Sequence, residues 1–241
     1  MRLPEPGAYG WITLAAIIFG AWLWYRRWKT TDPTLFGIFV GGITGAFVGA
    51  KVIYILAEGW LHFGAEDFWL QIAAGKSILG ALLGGYAGVE LTKKLIHYQE
   101  PTGDWFAFVV PLGIATGRAG CLRYGCCLGA ECDAETWYAM LDEAGVARWP
   151  AAGVELMFNL GVLLVLFQLR KFPSLKGQLF HVYLIAYGVF RFGHEFLRGT
   201  PKVIGGTVSG YQIVALLVLG LGIWRFWTRR SSAASSGHST D

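Results

Sequence analysis

Charged side chains are scarce in this sequence. Asp, Glu, Lys and Arg make up only 15% of its 241 residues, whereas roughly a quarter of a typical soluble domain is charged. Hydrophobic residues account for 54% of the chain. This balance excludes an ordinary soluble domain and is typical of a membrane protein.

Lysine- and arginine-rich stretches are also missing. The net charge is only +4, and the basic residues are scattered, so no patch of the kind that binds nucleic acid is predicted. The chain shows no internal repeat and no second domain. We predict one transmembrane domain over residues 1–228, followed by a small, polar and disordered cytoplasmic tail over residues 229–241.

The apolar residues are gathered into about seven segments, most of them close to the roughly 20 residues that a membrane-spanning helix needs. The fourth segment is shorter than the others. The pattern predicts an all-α, polytopic membrane protein. The segments lie near residues 8–25, 34–56, 70–92, 105–116, 151–169, 179–196 and 210–227.

The basic residues predict the orientation of these spans. The cluster Arg26–Lys29 follows the first apolar segment instead of preceding it, which is not the pattern of a cleavable signal peptide. This arrangement puts the N-terminus outside, and seven spans then leave the C-terminus in the cytoplasm. More than half of the basic residues fall on the cytoplasmic side, as the positive-inside rule requires. The connection from Arg118 to Pro150 is then predicted to lie outside.

Several charged residues nevertheless fall within or at the ends of the apolar segments. Such residues cost several kcal/mol by insertion scales, so they tend to face a cavity and to serve a function. We therefore treat them as candidate site residues. They are Lys51, Lys76, Glu90, Glu155, Arg191 and Glu195.

One set of polar residues has helical spacing. Tyr187, Arg191 and Glu195 recur every four residues and Arg198 follows three later, which predicts one helical face. A structural ion pair between Arg191 and Glu195 would explain part of this stripe. Arginines that bind a phosphate in an apolar cavity explain all of it. We therefore expect Arg118, Arg191 and Arg198 to converge with Glu195 on one anion site.

All four cysteines lie in the stretch TGRAGCLRYGCCLGAEC, which runs from Thr116 to Cys132. Paired CxxC units and a nearby histidine are missing, which weighs against a zinc ribbon. Disulfides in the oxidising compartment are the default interpretation, with the thiols as scaffold. A metal site and a reactive thiol beside Arg118 stay open as alternatives.

Several motifs occur in an order that resembles one family. GRAG at Gly117–Gly120 and the later Gly129 match the ends of the signature GRxGNFxNxExxG. The stripe described above matches the penultimate-helix pattern of the same family in residue type and spacing. Further similarities are Tyr9-Gly10, VGAKVIY from Val48, SILGALLGG from Ser77, and Pro150–Glu155. Together these motifs resemble the bacterial prolipoprotein diacylglyceryl transferases.

The resemblance implies a reaction and a location. Enzymes of this family transfer the diacylglyceryl group of phosphatidylglycerol to the lipobox cysteine of a prelipoprotein, form a thioether and release glycerol phosphate. The expected partners are thus phosphatidylglycerol and an acceptor protein or peptide with a cysteine. The expected location is the bacterial cytoplasmic membrane. No cofactor and no metal ligand are implied.

The resemblance also implies roles for individual residues. The three arginines of the expected anion site would stabilise the leaving phosphate, and the two glutamates would orient them or relay a proton. The residues with implied catalytic roles are Arg118, Arg191, Glu195, Glu155 and, in place of a missing base, Lys76. Those with implied substrate-binding roles are Arg198, Tyr187, Tyr9, Gly117, Gly120, Cys121 and Gly129.

The chain departs from the family at several motif positions, three of which bear on the chemistry. The family histidine of the HGGL-type motif falls on Leu79, the signature asparagine on Cys121 and the signature glutamate on Cys126. Lys76 lies three residues before Leu79, and a desolvated lysine can act as a base. A non-catalytic membrane protein that binds or senses anionic phospholipid is the alternative function.

Overall fold

The structure, a computed structural model, describes residues 34–236. The predicted first span and Tyr9 lie outside the described residues. The described chain divides into two compact units. The first unit comprises residues 102–183 and 196–199, and the second comprises residues 34–101, 184–195 and 200–236.

Helices dominate both units. The two β-hairpins are short and antiparallel, and each connects helices. In chain order the elements are α1 (Thr34–Ala57), a 3-10 turn (Gly59–His62), α2 (Phe68–Ala74), α3 (Ile78–Leu95), α4 (Gly103–Tyr124), β1 (Met140–Leu141), β2 (Ala147–Arg148), α5 (Ala151–Leu169), a 3-10 turn (Pro173–Leu175), α6 (Leu179–His194), a 3-10 turn (Glu195–Leu197), β3 (Lys202–Ile204), β4 (Val208–Ser209) and α7 (Gly210–Ser236).

Four of the described helices are long and apolar enough to cross a membrane. They are Thr34–Ala57, Gly103–Tyr124, Ala151–Leu169 and, within α7, Gly210–Arg229. Together α2 and α3 form a fifth candidate, which is bent by 57°. The prediction of a mostly helical chain with several apolar spans is confirmed, while the number seven and the orientation of the termini stay predictions.

The predicted third span, residues 70–92, is not one continuous helix, so the prediction is wrong in this respect. Helix α2 ends at Ala74, Gly75 is extended with ψ 136°, and α3 begins after Ser77, whose side chain accepts a hydrogen bond from the Gly80 N–H at 3.2 Å. Lys51 of α1 donates to the carbonyls of Ile72 at 2.7 Å and Gly75 at 2.9 Å. This ammonium group satisfies carbonyls that the break leaves without helical partners.

Glycines bring α1 and α3 into backbone contact in the second unit. A methyl group on Gly45 would lie 2.2 Å from the carbonyl oxygen of Gly84, and one on Gly84 would lie 2.2 Å from that of Gly45. The contact repeats at four-residue spacing along both helices, through Gly41, Gly45 and Gly49 on α1 and Gly80, Gly84 and Gly88 on α3. Small residues at this spacing are how apolar helices pack closely where lipid surrounds them.

Ionic contacts join α3 to α7 in the same unit. Glu90 accepts from Arg225 at 2.7 Å and lies 3.8 Å from Arg229, and Arg225 also donates to the Tyr86 hydroxyl. Glu90 and Lys51 are therefore used in packing and capping in the structure.

The predicted fourth span, residues 105–116, is too short. Helix α4 runs from Gly103 to Tyr124 and so includes the GRAGC motif, which was expected to begin an external loop. At its other end, the Asp104 carboxylate accepts from the N–H groups of Gly177 at 2.7 Å and Leu179 at 3.2 Å. This carboxylate caps the start of α6 within the first unit.

We predict that Gly45→Ala destabilises the protein and that Gly37→Ala does not. Both glycines are in α1, but a methyl group on Gly37 meets nothing within 4 Å. Overpacking of this kind costs about 1–3 kcal/mol, whereas an unhindered Gly→Ala change in a helix stabilises by about 0.4–1 kcal/mol. Thermal unfolding of the two variants in detergent measures the difference, and equal midpoints would contradict the close contact.

Candidate functional site

Two arginines share one buried carboxylate in the first unit. Arg118 Nη2 lies 2.8 Å from Glu155 Oε2, and Arg198 Nη1 lies 3.7 Å from the same oxygen. The Glu155 side chain is completely buried, and those of Arg118 and Arg198 are only 11% and 16% exposed. Two guanidinium groups thus face one carboxylate in a mostly desolvated place.

The contact between Arg118 and Glu155 follows from the positions of the two residues on their helices. Arg118 lies six residues before the end of α4, on its buried side. Glu155 lies in the second turn of α5, which begins just after Pro150. The predicted position of Glu155 near the start of a span is confirmed.

The position of Arg198 depends on Gly129. The carbonyl of the preceding residue, Leu197, accepts from the Ala130 N–H at 2.9 Å. A methyl group on Gly129 would lie 2.5 Å from that carbonyl oxygen and 2.9 Å from Trp149 Cβ. Gly129 is therefore needed for the segment around Arg198 to pack against the loop that follows α4.

Arg191 and Glu195 form a second ionic group, within the second unit. Arg191 donates to Glu195, whose carboxylate also accepts from Thr200 and, at 3.3 Å, from Ser209. Lys202 donates to the Glu195 carbonyl at 2.8 Å. Glu195 is completely buried and thus has several donors that offset its desolvation.

The predicted single helical face is wrong at Arg198, whereas Glu195 still pairs with Arg191 four residues before it. Helix α6 ends at His194 and a 3-10 turn begins at Glu195, so only Tyr187 and Arg191 lie on α6. Arg198 follows the turn and pairs with Glu155 in the first unit. The expected convergence of Arg118, Arg191 and Arg198 on one cavity joins residues of both units and stays a prediction.

Other predicted site residues have varied environments. Tyr187 is completely buried and Lys76 is exposed between α2 and α3. Gly120 is buried on α4, while a methyl group on Gly117 would meet nothing within 4 Å, so packing does not require a glycine there. Leu79, at the position of the family histidine, is a buried core residue of α3.

The cysteines are free thiols, and three of them form a cluster. All four lie within the described residues, and all four are free, which contradicts the expectation of crosslinked cysteines. The sulphur atoms of Cys121, Cys126 and Cys127 lie within 4.8 Å of one another. Arg118 Nη1 lies 3.9 Å from Cys121 Sγ, so the cluster adjoins the ionic group of Glu155.

The thiol of Cys127 has the environment of a thiolate. The hydrogen bond from Cys121, with the nearby charges of Arg118 and Arg198, lowers the pKa of the Cys127 thiol below its usual range. Its anionic form is therefore favoured at neutral pH.

Sequence reasoning missed the small polar residues around Glu195. Thr200 and Ser209 stand alone in loop and strand segments and belong to no motif. The one signal available was the buried carboxylate itself, because such a group requires donors. A buried carboxylate does not indicate which hydroxyl groups donate to it.

Most of the chain is similar to proteins of one family. A family profile described as prolipoprotein diacylglyceryl transferase matches residues 6–228. The chain is 28% identical over 228 residues to the phosphatidylglycerol–prolipoprotein diacylglyceryl transferase 2 of Clostridium perfringens, with 90% of this chain and 88% of the relative covered. It is 33% identical over 245 residues to the phosphatidylglycerol–prolipoprotein diacylglyceryl transferase of Gloeobacter violaceus, with 93% and 89% covered.

We predict that Glu155→Gln strongly destabilises the protein, because it leaves buried guanidinium groups without their carboxylate. Removing one partner of a buried ion pair costs about 3–5 kcal/mol. Glu131→Gln is the matched control, since Glu131 pairs with Arg148 at 3.4 Å but is 70% exposed and its loss should cost less than about 1 kcal/mol. Denaturant unfolding of both variants tests this, and similar losses would contradict it.

Proposed function

The chain belongs to the prolipoprotein diacylglyceryl transferase family, and we propose that it transfers the diacylglyceryl group of phosphatidylglycerol to a cysteine thiol of an acceptor protein. The observation that carries this proposal is the shared ion pair of Arg118 and Arg198 with Glu155. Two buried guanidinium groups held against one carboxylate suit a phosphodiester, because its oxygens accept hydrogen bonds from such groups. The acceptor is a prelipoprotein, by analogy with the names of the relatives, and the location is the cytoplasmic membrane of a bacterium.

The transfer reaction has two requirements. The phosphate must be stabilised as the bond between its oxygen and the glyceryl carbon breaks, and the acceptor sulphur must lose its proton. Arg118 and Arg198 can perform the first task, because guanidinium groups bind phosphate oxygens bidentately and keep their charge when buried. Glu155 holds the two guanidinium groups in place, so that little reorganisation is needed as charge develops.

The remaining predicted residues complete the proposal. Arg191 with Glu195 keeps the role in phosphate binding that the resemblance implies, and the residues with implied roles in substrate binding stay Tyr187, Tyr9, Gly117, Gly120, Cys121 and Gly129. Lys76 is a candidate base for the acceptor thiol. Seven spans with an outer N-terminus would place the GRAGC motif near the outer leaflet, where the acceptor cysteine is presented.

The direct test is product formation. Purified protein is incubated with phosphatidylglycerol and a lipobox peptide, and the peptide is examined by mass spectrometry while glycerol phosphate is assayed. We expect a mass increase of one diacylglyceryl group, with one glycerol phosphate released for each peptide modified. Saturable phosphatidylglycerol binding without either product would favour the alternative of a non-catalytic lipid-binding protein.

We predict that Arg118→Lys lowers transfer by about 10²-fold or more, since loss of one preorganised donor of this kind typically costs 10²–10³-fold. A lysine provides a point charge and cannot contact Glu155 and a phosphate with one planar group. Arg123→Lys is the control, because Arg123 lies on the same helix but is exposed. Unchanged transfer in Arg118→Lys would contradict the assigned phosphate site.

A further inference from the structure

The three clustered cysteines are brought together by the way α4 ends. Gly125 adopts a left-handed conformation with φ 65°. The N–H of Cys126 donates to the Cys121 carbonyl at 3.1 Å, and that of Gly125 donates to Leu122 at 3.3 Å. This is the Schellman arrangement, in which the residue after the left-handed glycine returns to the last turn of the helix. Cys126 therefore comes back to Cys121.

Cys127 joins the cluster through a backbone conformation that residues with side chains rarely adopt. Its φ is 59°, in the left-handed region that is strained for a non-glycine residue. Such a conformation persists where the surrounding structure imposes it. In this chain the left-handed conformation of Cys127 accompanies the placement of its thiol beside those of Cys121 and Cys126.

The spacing of the three sulphurs suits a single metal ion. A zinc–sulphur bond is about 2.3 Å long, so two sulphurs on a tetrahedral zinc lie about 3.8 Å apart. The sulphurs of this cluster lie within 4.8 Å of one another and need to move by only about 1 Å or less. A disulfide would use two of the three thiols, whereas one ion can contact all three.

Charge and access also suit an ion with one open position. Three thiolates and one Zn²⁺ carry a net charge of −1, and Arg118 Nη1, at 3.9 Å from Cys121 Sγ, offsets it. Cys126 and Cys127 are exposed, so a fourth ligand can approach from their side. Three protein ligands with an open position are the pattern of catalytic zinc, whereas structural zinc has four.

We propose that Cys121, Cys126 and Cys127 bind a zinc ion whose fourth coordination position takes the sulphur of the acceptor cysteine. The inference rests on the proposed transferase function and deepens it, because it assigns the activation of the thiol. The family histidine is replaced here by the buried Leu79, which cannot accept a proton. A thiol that coordinates zinc is deprotonated outright, so the metal makes an imidazole at that position unnecessary.

The proposed step balances as follows. The acceptor thiol binds zinc and releases its proton to water, which gives a complex of four thiolates with a net charge of −2. The acceptor sulphur then forms a bond to the glyceryl carbon, while the bond from that carbon to the phosphate oxygen breaks. Its electron pair leaves with glycerol phosphate, next to Arg118. The neutral thioether is a weaker ligand and dissociates, which restores the complex of three thiolates.

Metal content is the first test and does not depend on activity. Full-length protein purified in detergent is loaded with zinc, freed of excess metal and analysed by elemental mass spectrometry. We expect one zinc per chain and, by X-ray absorption, three sulphurs at about 2.3 Å. Cys121→Ser, Cys126→Ser and Cys127→Ser should each lose most of the zinc. Cys132→Ser is the matched control and should keep it, since Cys132 lies outside the cluster.

Three results would overturn the site. They are failure of the wild-type protein to bind zinc, equal zinc content in all four variants, and a native disulfide found by thiol titration of the unreduced protein. Because a Ser variant could simply misfold, the wild-type protein loaded with cobalt is also examined. Sulphur-to-cobalt charge-transfer absorption is expected there and needs no substitution, and its absence counts against the site.

The second test separates thiol activation from metal binding and from turnover. The cobalt protein is titrated, without phosphatidylglycerol, with a lipobox peptide and with the same peptide in which Ser replaces Cys. Only the cysteine peptide should change the spectrum, as a fourth sulphur enters. An unchanged spectrum would overturn the role of the metal in binding the acceptor even if the cluster holds zinc.

Transfer assays distinguish the failure of this inference from the failure of the proposed function. Removing zinc with a chelator should lower transfer by roughly 10²-fold, the usual scale for loss of proton-transfer catalysis, and added zinc should restore it. Full transfer by metal-free protein would overturn the inference and leave the transferase function intact. No transfer by protein that binds both zinc and the cysteine peptide would instead refute the transferase function.

Discussion

The ion pair between Arg118 and Glu155 is the interaction on which the site of the first unit depends. A buried carboxylate without a cationic partner would be far more costly than an apolar residue of the same size. Helix α4 must therefore continue beyond the apolar stretch that ends at Thr116, because only then does it carry Arg118 to the level of Glu155. The helix continues to Tyr124, where its cap at Gly125 turns the chain back on the last helical turn. The three clustered cysteines therefore lie at the end of the helix that carries Arg118.

A different constraint, the closeness of two backbones, governs the second unit. The glycines of α1 and α3 bring carbonyl oxygens to within van der Waals distance of the facing helix, and dispersion and dipole interactions then replace the hydrophobic effect that lipid cannot supply. Lys51 reaches the end of α2 from α1. A charged residue in an apolar segment can therefore serve the backbone as a cap, and its presence alone does not indicate a catalytic role.

Hydropathy and helical periodicity predicted the long helices well. The expected segments 34–56 and 151–169 agree with Thr34–Ala57 and Ala151–Leu169 almost to the residue. The same reasoning failed where contacts remote in sequence decide the structure. It could not foresee the break at Gly75, which α1 helps to stabilise, nor the continuation of α4 through Arg118, whose charge is compensated by Glu155 of α5. The motifs drew attention to Arg118, Glu155 and Arg198, but the sharing of one carboxylate could be seen only in the fold.

The guanidinium of Arg118 connects the two halves of the proposed chemistry. Its Nη2 contacts Glu155 and its Nη1 approaches Cys121, so one rigid planar group adjoins both the ion pair and the thiol cluster. The family signature has a neutral asparagine at the position of Cys121, which could not carry a charge there. A cysteine at this position can instead ligate a zinc ion, next to the positive charge of Arg118. The exchange of asparagine for cysteine and of histidine for Leu79 is therefore consistent with the proposed zinc site, since the chain lacks the family's imidazole and has three clustered thiols next to Arg118.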